Sequence, residues 1–267
     1  MAKILMLAQN ASSARTPLLW NKALKKLGID ASVNLRDVEC KSSTELKSEI
    51  HRDEYQAVIL GHPNKLYATQ LATLTNVEST RSGLNLLIRT NDMWQGFNFD
   101  GTAFSLSLFE EFPSLASESL FLFLGTGSTA NSCSTEVISK IGLESVRLIP
   151  RSRFANPKDD IFHYLNLRDM GVSKKNVVVV NCTPMGKFGY PIPKNLITNL
   201  CTLYPVLFYD INYYLDQRNP WTDLIQSESV RDGKRMNLIQ AALGFHEVFL
   251  QEAMSKEESV KLFESLQ

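Results

Sequence analysis

The stretch Ser119–Arg153 reads SLFLFLGTGSTANSCSTEVISKIGLESVRLIPRSR. An apolar run, Leu120 to Leu124, stops at Gly125-Thr126-Gly127. A helical pattern follows, with Cys133, Val137, Ile138 and Ile141 on one face and Gly142 at its end. A second apolar run, Val146 to Ile149, leads to Arg151 and Arg153. Strand, glycine turn, helix and strand make the first half of a dinucleotide-binding unit. Gly125 permits the tight turn, and Gly127 lets backbone approach a pyrophosphate. Ala130 is small enough for the helix to sit close to the strand. The helix N-terminus offers N–H groups and a partial positive charge to phosphates. The plain alternative is an ordinary βαβ unit whose turn happens to be glycine-rich.

The chain has 267 residues, enough for one large or two modest domains, and 44% of them are hydrophobic, enough for a sizeable core. Lys+Arg and Asp+Glu both number 28, so the net charge is zero and binding to nucleic acid by bulk charge is not expected. No apolar run approaches the roughly 20 residues that span a bilayer, so no membrane partner is expected. MAKILMLAQN reads as a buried first strand rather than a signal peptide. Cys40, Cys133, Cys182 and Cys201 lie far apart, which suggests free thiols in a cytoplasmic protein. His51, His62, His163 and His246 form no metal spacing.

Before the glycine turn, strands are expected at Lys3–Leu7, Ala31–Leu35 and Ala57–Leu60, with a short β-like run at Asn85–Arg89. Thr16-Pro17 reads as a helix N-cap followed by proline at the first helical position, with Gly28 as the stop. Helices are expected over 44–51, 63–74 and 102–112. After it, Asn176–Val180 reads as a strand buried on both faces, and Val206–Ile211 as another. The carboxyl ends of the later strands bring Gly125–Ala130, Arg151, Asn181–Gly186 and Asp210–Tyr213 to one rim. From Met236 the pattern is helical, with a further helix over 256–266.

Gly96-Phe97-Asn98-Phe99-Asp100-Gly101 resembles the G-x-N-T-D-G motif of the shikimate dehydrogenase family, with Phe99 in place of threonine. Asn181-Cys182-Thr183-Pro184-Met185-Gly186 resembles N-A-T-P-x-G, and Tyr209–Tyr213 resembles Y-D-x-x-Y. Gly233–Phe245, GKRMNLIQAALGF, resembles G-x-G-M-L-x-x-Q-A-A-x-x-F. The resemblance implies an α/β protein with an N-terminal α/β substrate domain, a Rossmann NADP-binding domain, and C-terminal helices returning to the first domain. The boundaries it suggests are 1–101 with 234–267 for the substrate-binding and catalytic domain, and 102–233 for the NADP-binding domain. It implies NADP-dependent interconversion of 3-dehydroshikimate and shikimate, or of a related cyclic hydroxy acid, on the chorismate route to aromatic amino acids. The implied partner is a small cyclic polyol acid, and the implied state is a monomer or homodimer.

Carried over residue by residue, the resemblance makes Lys65 and Asp100 catalytic; whether Lys65 is base or proton shuttle stays open. It makes Thr16, Asn85, Asp100, Tyr213 and Gln240 substrate-binding. Gly125, Gly127, Ser128, Thr129, Ala130, Arg151, Ser152, Arg153, Asn181, Thr183, Met185 and Gly233 would meet the cofactor. No acidic residue follows the strand at Val146–Ile149, where an NAD enzyme places one. Arg151 there suits the 2′-phosphate of NADP.

The chain also departs from the pattern. Ala14 and Thr16 stand where the family has two serines, Gly61 where it has threonine, and Ile59 where it has asparagine. Arg15 is a candidate carboxylate fork that could compensate. Arg235 replaces a glycine, and Ser128 a small residue of the phosphate turn. These departures suggest an altered substrate, or a catalytically impaired paralogue that binds NADP(H) or a partner without turnover. A short-chain dehydrogenase is not indicated, because Tyr209, Tyr213 and Tyr214 have no lysine four residues on.

Overall fold

The protein is described by a computed structural model covering residues 1–51, 54–76, 82–117, 119–155, 176–187, 189–214, 217–225 and 229–267. His163 lies outside these residues. The chain divides into two compact units, Met1–Ala103 with Asn237–Gln267, and Phe104–Met236. Among the described residues, no helix is long and apolar enough to cross a membrane.

The first unit is built on a mixed sheet. Strands β1 (Ala2–Ala8), β2 (Ala31–Asp37) and β3 (Ala57–Leu60) are followed by β4 (Ala72–Thr75), β5 (Leu86–Thr90) and β6 (Met93–Phe97). Their order is β2-β1-β3-β5-β6-β4. β1 pairs in parallel with both β2 and β3, which is why Ile4 to Ala8 are buried without alternation. β5 and β6 form an antiparallel hairpin. Its turn, Asn91-Asp92, takes φ of 49° and 64°, the doubly left-handed geometry that matches strand twist.

Helix α1 (Arg15–Leu27) buries Leu19, Trp20, Ala23 and Leu24. It starts two residues earlier than the Thr16 cap predicts. Ala14 takes the N-cap position without a side-chain bond, and Thr16 lies in the first turn. Pro17 loses nothing there, because the first four N–H groups of a helix have no partner within it. Gly28 ends the helix at φ 65°, and Ile29 N donates back to Leu24 O at 3.0 Å, closing a Schellman motif.

The helix expected over 63–74 is not continuous. Helix α3 covers only Lys65–Ala68, after α2 at Ser43–His51, and the chain then turns into β4. Parallel pairing of Ala72–Thr75 with Trp94–Gly96 overrides the helical spacing of the leucines.

The second unit carries an all-parallel sheet of order β11-β10-β9-β7-β8. Its strands are β7 (Ser119–Leu124), β8 (Val146–Ile149), β9 (Asn176–Asn181), β10 (Leu207–Asp210) and β11 (Val230–Asp232). β7 and β9 are central and buried along almost their whole length, as a sheet covered on both faces requires. Helix α4 (Asp100–Glu111) precedes β7, and α5 (Ser128–Ile141) connects β7 to β8. Helices α6 (Arg151–Ala155) and α7 (Lys194–Cys201) follow.

The C-terminal helix α8 (Lys234–Phe245) continues as a π-helical turn, His246–Leu250, and is followed by α9 (Lys256–Glu264). In the first unit Trp20 anchors this segment. Its Nε1 donates to Ala241 O at 2.9 Å, and its ring meets Phe245 edge-on at 5.4 Å. α9 begins with a capping box formed by Ser255 and Glu258.

Candidate active site

In the first unit the chemistry converges on Asp100, which is 2% exposed. Lys65 Nζ donates to Asp100 Oδ2 at 2.7 Å. Asn85 Nδ2 and Gln240 Nε2 both donate to Oδ1, at 3.1 and 2.9 Å. The donors come from the start of α3, the entry to β5, and α8. A buried carboxylate needs such donors to offset lost hydration. The result is a lysine ammonium fixed in one geometry beside a carboxylate, with further N–H groups for an oxygen atom.

Two asparagines build this arrangement. Asn64 is fully buried; its amide donates to Val38 O at 2.9 Å and accepts from Cys40 N at 2.9 Å. It thereby ties the turn that carries Lys65 to the segment after β2. Asn98 Oδ1 accepts from Asp100 N at 2.8 Å, while its Nδ2 donates to Ser82 O and Gly83 O at 2.6 and 2.9 Å. Sequence reasoning assigned neither a role. Asn98 stood inside the G-x-N motif, and that position was the available signal. Asn64 had none.

Thr16, Asn85 and Gln240 line one small recess together with Trp20, Ile59 and Phe99. Asn237 Nδ2 donates to Thr16 Oγ1 at 3.3 Å. One altered position, Gly61, has a packing reason. A Cβ at Gly61 would stand 2.5 Å from Ala8 Cβ, so no side chain fits there without backbone movement. Arg15 Nη2 donates to Gln267 Oε1 at 3.0 Å.

In the second unit the carboxyl ends of β7, β8, β9 and β10 lie along one rim. Gly125 takes φ 109°, and a Cβ there would meet Thr183 Cγ2 at 3.1 Å. Gly127 is the N-cap of α5, has no side-chain cap, and would meet nothing within 4 Å if it carried a Cβ. Ala130 is fully buried against the sheet. Asn131 Nδ2 donates to Thr126 O and Gly127 O, both at 2.9 Å, and so braces the turn. Ser128 and Thr129 open α5 as its first two residues. Arg151, Ser152 and Arg153 form the exposed start of α6, with no acid in its first turn. The Arg151 guanidinium lies 5.9 Å from the Tyr190 ring centroid.

Asn181 is fully buried, and its amide donates to Asp210 Oδ1 at 3.0 Å. Thr183 Oγ1 donates to Asn181 Oδ1 at 2.7 Å, and Met185 N donates to Thr183 Oγ1 at 3.3 Å. Asn181 therefore shapes the turn from inside. Tyr213 lies under Lys187, whose Nζ is 4.0 Å from the ring centroid. Burial pulls the Lys187 ammonium below its usual range. Arg235 pairs with Glu110 in an exposed ion pair. Among the described residues, no group of three or more His, Cys, Asp or Glu could hold a metal.

Asp210 is the buried charge beneath this rim. Asn181, Tyr214 and both the backbone and side chain of Asn212 donate to it. Burial nevertheless pushes its carboxyl from 3.8 up to about 7. Between those values the folded state binds more protons than the unfolded one. Its contribution to stability is therefore complete below about pH 4 and is lost as pH rises through 7. In Asp210→Asn the amide can donate to a reoriented Tyr214 hydroxyl. Urea midpoints between pH 5 and 8 are expected to fall in the wild type and to flatten in the variant. Equal slopes would remove Asp210 as the source.

With both units described, comparison with known proteins places the architecture. No protein-family model matches the chain. A curated shikimate dehydrogenase (NADP(+)) of Anaeromyxobacter dehalogenans is 30% identical over 132 residues, 49% of this chain. The chain spans about half the length of that relative, 46%. The solved shikimate dehydrogenase 1 of Peptoclostridium difficile superposes with a TM-score of 0.74, covering 100% of this chain and 98% of that one at 18% identity. The chain is shikimate dehydrogenase-like in sequence and in fold. A second solved shikimate dehydrogenase, in complex with NADP+, gives a TM-score of 0.73 at 15% identity, covering 99% of this chain and 95% of that one. Within this shikimate dehydrogenase-like framework, the mixed sheet carries the Lys65–Asp100 pair and the parallel sheet carries the Gly125–Gly127 turn.

Proposed function

We propose that the protein is an NADP-dependent oxidoreductase of shikimate dehydrogenase type that interconverts a ring alcohol and its ketone, with shikimate or a related cyclic hydroxy acid as the reference substrate. The observation that carries the reading is the Lys65–Asp100 pair, held by Asn85 and Gln240. On this reading the unit of Met1–Ala103 and Asn237–Gln267 is the substrate-binding and catalytic domain, and Phe104–Met236 is the NADP-binding domain.

The residues present fit the cofactor. The open space above Gly127 and the 14-residue helix that starts at Ser128 suit a pyrophosphate. Arg151 and Arg153, with Ser152, suit a 2′-phosphate. Thr183 and Met185 shape the neighbouring turn, supported by Asn181, and Gly233 closes against it through Asn212. Bound NADP(H) supplies or accepts the hydride. When the ketone is reduced, the Lys65 ammonium gives a proton to the new hydroxyl and is left as the amine; when the alcohol is oxidised, that amine takes the hydroxyl proton and becomes the ammonium again. Asp100 holds the lysine in place and balances its charge. Asn85 and Gln240 orient the carboxylate. Tyr213 is a further ligand-facing candidate on the second unit.

Purified protein is expected to oxidise shikimate, quinate or a related ring alcohol with NADP. Absence of turnover across a panel of such alcohols, charged and neutral, would sink the catalytic reading. Arg151→Ala is expected to raise KM for NADP about tenfold or more, because a hydrogen bond to a charged group is worth roughly 1.5–3 kcal/mol. KM for NAD should not change; an equal rise for both cofactors would remove Arg151 as the 2′-phosphate residue. One observation favours a second reading, an impaired paralogue: Ala14 and the closed Gly61 remove two hydroxyl positions of the family pattern. Its mark would be tight NADPH binding without turnover.

A further inference from the structure

We infer that Tyr190 is a positioning residue for the cofactor: its ring fixes the Arg151 guanidinium for a ribose 2′-phosphate and so sets the preference for NADP over NAD. The inference rests on the proposed NADP reading and adds to it a residue that none of the motifs contains. The geometry lies wholly within the second unit. Leu124 of β7 pairs with Ile149 of β8 on one side and with Asn181 of β9 on the other. The three strands therefore end level, with the Gly125–Gly127 turn in the middle. Arg151 stands two residues past the end of β8, and Tyr190 nine past the end of β9. The Arg151 guanidinium nevertheless lies over the Tyr190 ring, 5.9 Å from its centroid. The contact bridges the two strands that flank the glycine turn.

The loop of Tyr190 holds the ring in place. Gly186 takes φ 83°, and a Cβ there would stand 2.8 Å from Pro220 Cγ, so the turn is seated closely on Pro220. Gly186 N donates to Tyr190 O at 2.9 Å, and Tyr190 N donates to Lys187 O at 3.0 Å. Lys187 is itself set over the Tyr213 ring. Pro191 disfavours helical backbone at Tyr190, and Ile192 then packs against the core of the parallel sheet. Tyr190 stays 43% exposed, open to Arg151 and to solvent. Arg231 also lies over a ring, that of Phe112, but its Nε donates to Glu111 at 2.6 Å. Arg151, by contrast, makes no ion pair and no side-chain hydrogen bond among the described residues. A guanidinium that rests its face on a ring keeps its in-plane N–H groups for an anion, and their fork matches a phosphate. Without the ring, the long arginine side chain would have more rotamers to give up on binding, which weakens the phosphate contact. NAD has a hydroxyl where NADP carries that phosphate, so the loss falls on NADP alone.

The test measures the dissociation constants of NADPH and NADH by fluorescence titration. Wild type is expected to bind NADPH the more tightly. Tyr190→Ala is expected to raise the NADPH constant about two- to fivefold, the weight of an exposed cation–π contact, and to leave the NADH constant level. Tyr190→Leu, which keeps apolar bulk without a π face, should lose as much, and Tyr190→Phe should match wild type. In an Arg151→Ala background, Tyr190→Ala should change neither constant. Should the alanine variant melt early, the comparison of leucine with phenylalanine carries the test. A parallel rise for NADPH and NADH would give Tyr190 a part in shaping the loop and overturn the inference. So would an unchanged NADPH constant in the alanine or the leucine variant, or a further loss in the Arg151→Ala background. Each of these results leaves the NADP reading standing while wild type prefers NADPH. A wild type that binds neither cofactor, or both alike, sinks that reading and the inference together.

Discussion

Lys65→Ala is expected to lower kcat for NADP-linked alcohol oxidation by about 10²- to 10⁴-fold, the range for removing a positioned acid–base group. The side chain is well placed for that role. It keeps part of its surface exposed, enough to reach a ligand, while the side chain of its partner Asp100 is buried. The same change removes one member of a buried ion pair, which typically costs about 3–5 kcal/mol. Asn85 and Gln240 remain as donors to Asp100, which lessens the loss. Circular dichroism and a thermal melt must therefore accompany the assay. Lys65→Arg separates proton transfer from charge, because a guanidinium keeps the positive charge and does not deprotonate in proteins. It should be nearly as inactive as the alanine variant. If the arginine variant turned over like wild type, Lys65 would be a charge holder and not the proton carrier.

Gly233→Ala is expected to destabilise the protein by about 3 kcal/mol, at the upper end for forced overpacking. A Cβ at Gly233 would lie 1.9 Å from Ile211 O, a backbone atom that cannot rotate away. The strands on either side are fixed to one another: Tyr209 pairs with Arg231 and Asp210 with Asp232. Gly233 N also donates to Asn212 O at 2.9 Å. Asn212 in turn holds Thr183 O and Asp210 Oδ1, both at 2.8 Å. Displacement therefore passes from the glycine to the turn of Asn181–Met185. The melting temperature should drop by roughly 6–12 °C, with weaker NADPH binding measured by fluorescence. An unchanged melt would show that the Ile211 carbonyl yields more easily than its hydrogen bonds suggest. Gly127 is the contrast, since nothing in the protein opposes a side chain there. Its smallness has an explanation only in what binds.

Much of the second unit was legible in the residues. The run Leu120–Leu124, the Gly125-Thr126-Gly127 turn and the face of Cys133 and Val137 are local signals, set by periods of a few residues. They located β7 and α5. The stretch at 63–74 was misread because its leucines fit a helix. Only the neighbouring strand Met93–Phe97 shows that Ala72–Thr75 completes a sheet.

The residue types of the candidate site were available from the sequence: a lysine after Leu60, an aspartate in the G-x-N-x-D-G motif, Asn85 and Gln240. Their convergence was not. Lys65, Asn85 and Gln240 lie 35, 15 and 140 residues from Asp100, and no local pattern carries a contact across such distances. Sheet order and the return of the C-terminal helix bring them to one carboxylate. The same holds for the departures. Gly61 read as a lost hydroxyl, but the tertiary structure shows Ala8 occupying the space of any side chain there. By itself the sequence determined the elements and the chemistry available, because propensity and motif act over short range. Only the tertiary structure decided which donors meet at Asp100 and which side chains share the recess with Thr16, because those depend on packing between segments distant in the chain.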